Sequence, residues 1–243
     1  MLGSESVTII GRGNSGTRTI SHTLTASGVF MGEPINESGD LLPPESMYEA
    51  CRIFGRHVAY RGNYEWDWSA TAEMAIPEEF VRLITTYLSS IATSTAPRRG
   101  WKIPETTLVF PWIARLYPDI KYIFWIRDPR DNTFNAHLTD DLSHFAVPCP
   151  DVGDDVALRR AISWKYQYDL VRATCRPAQW HEVRFEDFVL KQRETLARLE
   201  AFIGMPLASI PVRREPVGRW QTLDVCPSYD FLQSAMLECG YSS

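Results

Sequence analysis

Val7-Thr8-Ile9-Ile10-Gly11-Arg12-Gly13-Asn14-Ser15-Gly16-Thr17-Arg18-Thr19 is the stretch on which the reading of this chain turns. Its first four residues are apolar or β-branched, the composition of a strand buried on both faces. Three glycines within the next six positions break that strand. Thr17 to Ala26 then carries Ile20 and Leu24 four residues apart, on one face of a helix. Gly28 ends the helix, and Val29-Phe30-Met31 predicts a second strand. Strand, glycine turn and helix together predict an α/β fold with a central parallel sheet flanked by helices. The backbone N–H groups of such a turn, with a helix N-terminus behind them, form an anion cradle.

Working outward, Gly32 to Pro44 is polar and turn-rich and reads as a surface loop. Met47 to Phe54 predicts a short helix. Tyr64, Trp66 and Trp68 alternate among polar residues, as a strand face or an aromatic pocket wall does. Pro77 to Ile91 predicts a helix with Phe80, Ile84, Tyr87, Leu88 and Ile91 on one stripe and two glutamates at its positive end. A further helix is expected near Leu108–Leu116. Lys121-Tyr122-Ile123-Phe124-Trp125-Ile126 is the strongest strand signal in the chain. Asp154–Cys175 predicts a helix, Trp180–Phe185 a strand, and Glu186–Ile203 one helix stopped by Gly204 and Pro206. No repeat, low-complexity tract or linker interrupts the chain, so one domain over residues 1–243 is expected.

Composition narrows the function. The chain is 44% hydrophobic and 23% charged, which is globular, and its net charge of −5 disfavours chain-wide affinity for nucleic acid or an anionic membrane. The five cysteines (Cys51, Cys149, Cys175, Cys226, Cys239) form no CxxC pair, so neither a disulfide framework nor a zinc knuckle is expected. The N-terminus has no basic and apolar secretory pattern, and no apolar run approaches the ~18–20 residues that span a bilayer. The expectation is a cytoplasmic protein without stable membrane insertion.

Four readings compete for the glycine loop: a turn with glycines for steric reasons alone, and three phosphate chemistries. Gly11 to Gly16 has the spacing of an NTPase loop, but Thr17 stands where that loop needs lysine. Gly11, Gly13 and Gly16 match Gly-x-Gly-x-x-Gly, and Glu33 falls near where a ribose-binding acid belongs, which fits an NAD-binding oxidoreductase. The last is a loop gripping a 5′-phosphosulfate through Ser15, Gly16 and Thr17, with Arg12 or Arg18 adding charge.

Four segments, in order from Val7 to Trp220, favour the last. Ser15-Gly16-Thr17-Arg18, Gly100-Trp101-Lys102-Ile103-Pro104, Arg127-Asp128-Pro129-Arg130-Asp131 with Asn135, and Arg213-Arg214-Glu215-Pro216-Val217-Gly218-Arg219-Trp220 resemble the sulfotransferase family, which uses 3′-phosphoadenosine 5′-phosphosulfate (PAPS). The resemblance implies a P-loop NTPase-like sulfotransferase fold. It implies that Gly13, Asn14, Ser15, Gly16, Thr17, Arg18 and Thr19 hold the 5′-phosphosulfate, and that Arg127, Asn135 and Arg214 hold the 3′-phosphate, with Arg213 an alternative to Arg214. Asn14 stands where the family carries Lys or Arg, and Asn135 where it carries Ser. Pro129 is expected to open a helix with Asn135 two turns along.

Lys102 is expected beside the transferring group, and Glu33, placed like the glutamate of tyrosylprotein members, is the candidate base; His22 and His57 stay as alternatives. His137, Asp140, Asp141 and His144 share a helical face at i, i+3, i+4 and i+7, but match no metal-ligand spacing, so no metal is expected. The implied activity is sulfuryl transfer to a hydroxyl or amine of a small-molecule, glycan or lipid acceptor. An NAD-binding oxidoreductase and a non-catalytic nucleotide binder on the same fold are the alternatives.

Overall fold

The computed structural model describes residues 2–222 and 229–242. Its first half runs β1 (Ser6–Ile10), α1 (Thr17–Ala26), α2 (Glu45–Gly55), β2 (Ala59–Gly62), β3 (Glu65–Asp67), α3 (Ser69–Glu73), α4 (Glu78–Tyr87), α5 (Ser89–Thr93) and β4 (Arg99–Lys102). There follow α6 (Phe110–Leu116), β5 (Lys121–Ile126), α7 (Pro129–Asn132), α8 (Val156–Ala173), β6 (Trp180–Arg184), α9 (Phe185–Leu190), α10 (Gln192–Ile203) and α11 (Gln233–Glu238).

Four strands pair in the order β4-β1-β5-β6, all parallel, and β2 and β3 form a separate antiparallel hairpin. Period-2 alternation explains why Tyr122–Ile126 of β5 is apolar without interruption. Tyr122, Phe124 and Ile126 enter the core on one face, with Ile10, Trp101, Phe110 and Trp112. Ile123 and Trp125 enter the core on the other, with Val7 and Ile9 of β1, Ile20 and Leu24 of α1, Phe188 of α9 and Leu199 of α10. Each such side chain removed from water contributes about 1.5–3 kcal/mol.

Tertiary packing departs from the expected elements at six places. The helix expected over Pro77–Ile91 is divided at Leu88 into α4 and α5, and β4 forms where no strand was expected. Val29-Phe30-Met31 is not a strand; it makes a single parallel bridge, Phe30 to Arg99, on the outer side of β4. Because β4 lies between that stretch and β1, the β1–β2 adjacency of a dinucleotide-binding sheet is absent, and the NAD reading of the glycines falls with it. The Glu186–Ile203 helix is broken at Lys191 (φ −130°, ψ 47°), and the break lets Phe188 and Leu199 of its two halves reach the same core. The helix opened by Pro129 stops at Asn132, so Asn135 is not on it. His137 to His144 forms two short 3₁₀ turns, Leu138–Asp140 and Leu142–Phe145, so the helical face expected of its four titratable residues does not exist.

Among the described residues no group of side chains could hold a metal ion, and no helix is long and apolar enough to cross a membrane. Cys51, Cys149, Cys175 and Cys239 are free thiols; Cys226 lies outside the described residues.

Candidate functional site

In a parallel sheet every strand delivers its last residue to the same edge. Here β1 runs into the glycine loop, β4 ends on Lys102, β5 is followed by Arg127, and β6 is followed by Phe185. Gly16, Lys102, Arg127 and Phe185 all line one cavity of about 580 Å³. Thr17, Arg18 and Thr19 of α1 form its floor, and Arg213 and Pro216 border it from the C-terminal strap. Four cations (Arg18, Lys102, Arg127, Arg213) and one carboxylate (Asp40) face it, in a chain that is acidic overall.

The loop is held from beneath. Gly11 N–H donates to Thr107 Oγ1 at 2.8 Å, Trp125 Nε1 donates to the Ser15 carbonyl at 3.0 Å, and Arg127 donates to the Asn14 carbonyl at 3.0 Å. Gly16 has φ +89°, and a Cβ there would stand 2.5 Å from the Phe185 ring, so both backbone and packing require glycine. Gly16 makes no side-chain cap for α1, and no acidic residue occupies its first turn, which leaves the positive helix end facing the cavity.

Asn14 adopts φ +61°, a left-handed conformation that Asn tolerates better than Lys or Arg. Its Nδ2 donates to the carbonyls of Ala136 (2.8 Å) and Asn135 (3.2 Å), which ties the loop to the segment after α7. Arg12 does not replace the missing cation. It is 4% exposed, pairs with Asp140, and donates to the carbonyls of Gly13 and Asn132 at 3.0 Å. Arg18 is the loop cation on the cavity, donating to Ser38 Oγ at 2.8 Å.

Lys102 is 3% exposed in its side chain, and its Nζ donates to Asp40 Oδ1 at 2.5 Å. Burial pulls the ammonium pKa down and Asp40 opposes that shift. Arg127 donates to the Pro216 carbonyl at 2.6 Å, stands 4.0 Å from Asp131, and lies 4.6 Å from the Phe185 ring centre. Its Nε is buried and has no hydrogen-bond partner among the described residues.

Of the residues expected from sequence, Asn14, Gly16, Thr17, Arg18, Thr19, Lys102 and Arg127 line the cavity together. Gly13 and Ser15 belong to the loop without lining it. Asn135 and Arg214 are exposed and outside the lining, and Arg213 takes the lining position on the strap. Glu33 is exposed and also outside it, its backbone N–H donating to Ser90 Oγ at 3.3 Å. His22 lines the cavity, whereas His57 packs 5.7 Å from Trp112.

Two further residues line the cavity: Asp40, which carried no distinguishing sequence signal, and His137, which the sequence marked only as one of four titratable residues weighed and set aside as a metal face. Asp40 sits in a polar loop, where Asn36 Oδ1 accepts from the backbone N–H groups of Ser38 (2.8 Å) and Asp40 (2.9 Å), and Asn36 Nδ2 donates to Asp40 Oδ2 at 3.0 Å. Trp66 and Trp68 serve a different place. They border an aromatic and aliphatic cavity of about 900 Å³ near Pro118 and Ala178, which precede β5 and β6, at the amino-terminal edge of the sheet.

Glu105, 2% exposed, lies three residues after Lys102 in the 3₁₀ segment Pro104–Val109. Burial pushes its carboxyl up to about 7 from 4.5, with Asp40 adding to the shift and Lys102 opposing it. Between those two values the folded chain binds the proton more tightly than the unfolded one, so stability falls as pH rises through the window, by up to ~3 kcal/mol. Glu105→Gln is therefore expected to stabilise the protein at pH 8 and to change little at pH 5, measured by urea denaturation at both. Equal effects at the two pH values contradict this.

The fold and the site define a class: a parallel α/β protein with a cation-lined pocket built on a strand–loop–helix turn. Residues 6–209 match the sulfotransferase family, and the chain belongs to it. Two curated relatives share the name "Putative protein-tyrosine sulfotransferase". The one from Caenorhabditis elegans is 23% identical over 163 residues, covering 65% of this chain and 60% of the relative. The one from Caenorhabditis briggsae is 24% identical over 153 residues, covering 61% and 52%. The chain thus spans little more than half the length of these two proteins.

Among solved structures, the sulfotransferase domain from the curacin biosynthetic pathway superposes with a TM-score of 0.62 at 15% identity, covering 99% of each chain. The sulfotransferase domain of the Synechococcus PCC 7002 olefin synthase gives 0.57 at 14% identity, covering 100% of this chain and 97% of its own. At that identity these two matches establish the fold.

Proposed function

We propose that the protein transfers a sulfuryl group from PAPS to a hydroxyl or amine of a small-molecule, glycan or lipid acceptor. The observation that carries the reading is the convergence of four cations and an uncapped helix start on one cavity, in a chain of this family. Arg127 Nε and Ser15 Oγ, buried without a hydrogen-bond partner among the described residues, are groups a polyanionic cofactor could satisfy. Bound there, the phosphosulfate supplies a sulfuryl group already attached to its leaving phosphate.

The chain's own part is positioning and charge. Gly13 to Thr19 hold the 5′ end through backbone N–H groups and hydroxyls. Arg127, with Asn135 and Arg214 or Arg213 from the flanking segments, holds the 3′-phosphate. Lys102 stands where negative charge on the transferring group needs a partner. Two carboxylates compete to take the acceptor proton: Glu33 by the resemblance, Asp40 by its place on the cavity wall.

Thermal shift with adenosine 3′,5′-bisphosphate, NAD and ATP at equal concentration tests the cofactor. A ligand at 100 times its dissociation constant adds ~2.7 kcal/mol of stability. A shift with the bisphosphate and none with NAD is expected; the reverse overturns the reading. Turnover of PAPS with a panel of acceptors tests the reaction, and binding without turnover on any acceptor supports the non-catalytic alternative. In the same assay Glu33→Gln and Asp40→Asn separate the two carboxylates. Loss of the base slows transfer by about 10²–10⁴-fold with bisphosphate binding intact. Full activity in both variants removes both from that role.

A further inference from the structure

His137 lines the same cavity, and its ring lies so close to the loop that a Cβ on Gly13 would fall 2.0 Å from the imidazole Cγ. Gly13 is thus the residue that admits this ring. The ring is fixed by its own turn: the His137 backbone N–H donates to Asp140 Oδ2 at 2.8 Å, and the Thr139 backbone N–H donates to His137 Nδ1 at 3.2 Å. Thr139 Oγ1 stands 3.0 Å from the same nitrogen. A backbone amide can only donate, so Nδ1 must be the acceptor nitrogen, and a neutral ring then carries its proton on Nε2. Nε2–H is the ring's polar group that makes no hydrogen bond among the described residues.

The charges facing the ring are mixed. Arg12 and Lys102 disfavour its protonation, and Asp140 and Asp40 favour it. Burial outweighs them and holds the imidazole at about 4, so it is neutral near pH 7. A general base at this position needs a free lone pair, and the available one is already taken by the Thr139 amide.

We propose that His137 donates its Nε2–H to the anion held on the Gly13–Thr19 loop, as a neutral hydrogen-bond donor to the transferring group rather than as the base for the acceptor. The inference rests on the proposed function and adds a residue to that site. A fixed neutral donor needs no proton exchange during turnover, and its dipole is already oriented when charge develops.

Two measurements test it. The first is the nitrogen NMR spectrum of ¹⁵N-histidine-labelled protein, without any ligand. His137 is expected as the Nε2–H tautomer throughout pH 6–8, and an Nδ1–H or charged ring in that range overturns the proposal.

The second compares His137→Gln, whose amide nitrogen falls near the Nε2 position, with His137→Asn, whose amide falls near Nδ1. His137→Asn is expected to lower kcat by about 10- to 100-fold, while affinity for adenosine 3′,5′-bisphosphate, which lacks the sulfuryl group, changes little. His137→Gln is expected to recover most of that loss and to keep the acidic limb of the wild-type pH profile. Equal impairment of both variants, or loss of the acidic limb in His137→Gln, overturns the donor role. A parallel fall in bisphosphate affinity assigns the ring a structural role instead. If the wild-type protein fails to bind the bisphosphate at all, the reading of the function fails first, and the tautomer result still stands separately.

Discussion

Lys102→Ala is expected to slow sulfuryl transfer by about 10²–10³-fold, the cost of removing one oriented donor from a developing negative charge. β4 ends on this residue, its stem is buried, and its ammonium reaches the cavity wall 2.5 Å from Asp40 Oδ1. Adenosine 3′,5′-bisphosphate lacks the sulfuryl group, so its affinity should change little. The substitution also strips Asp40 of its charge partner, and breaking a buried pair costs about 3–5 kcal/mol of stability. The double variant Lys102→Met, Asp40→Asn should recover stability, because no charge is left unpaired; transfer is compared on Lys102→Ala alone, because Asp40 is itself a candidate base. Single-turnover kinetics at saturating PAPS, with urea denaturation in parallel, read both quantities. Transfer by Lys102→Ala within a few-fold of wild type removes Lys102 from the reaction.

The second large effect is expected at Arg127. Its guanidinium joins three parts of the site: the Asn14 carbonyl of the loop, the Pro216 carbonyl of the strap and the Asp131 carboxylate of α7. Asp131 in turn accepts from the backbone N–H groups of Gly218 (2.6 Å) and Trp220 (3.0 Å), so Arg127 and Asp131 together position the strap. Arg127→Ala is expected to weaken adenosine 3′,5′-bisphosphate binding by about 2 kcal/mol or more, roughly 30-fold, through loss of a charged hydrogen bond. Arg127→Lys keeps the charge but not the planar fork, and should recover only part of the affinity. Calorimetry with the bisphosphate and with adenosine 5′-phosphate locates the loss. A deficit confined to the bisphosphate places Arg127 at the 3′-phosphate, and unchanged affinity for both removes it from the anion site.

Neighbouring residues along the chain carried much of this legibly. Lys121–Ile126 reads as a strand and is one residue for residue, because the five consecutive apolar or aromatic positions Tyr122–Ile126 can be buried only where both faces of a strand are covered. The glycine loop after Val7–Ile10 reads as an anion cradle, and it opens α1 without a side-chain cap. Gly204 reads as a helix stop and ends α10 at φ +81°. In each case the signal and its cause lie within a few residues of one another.

What the local pattern mis-stated depends on contacts across the sheet. Val29–Met31 has strand composition, yet lies outside β4 with a single bridge. Glu186–Ile203 has an unbroken helical pattern, yet bends at Lys191 because both halves pack into one core.

By itself, then, the sequence determined the parallel α/β class, the glycine loop between β1 and α1 and the strand that delivers Arg127, since propensity, burial period and turn chemistry act over a few residues. Only the tertiary structure decided that β1 lies between β4 and β5, that Arg12 turns inward to Asp140 and leaves Arg18 as the loop cation, and that Asp40 and His137 meet Lys102 at one cavity. Those outcomes join residues 60 to more than 120 positions apart, and what selects them is the filling of a shared core and the pairing of buried charges, neither of which is written in the spacing of neighbouring residues.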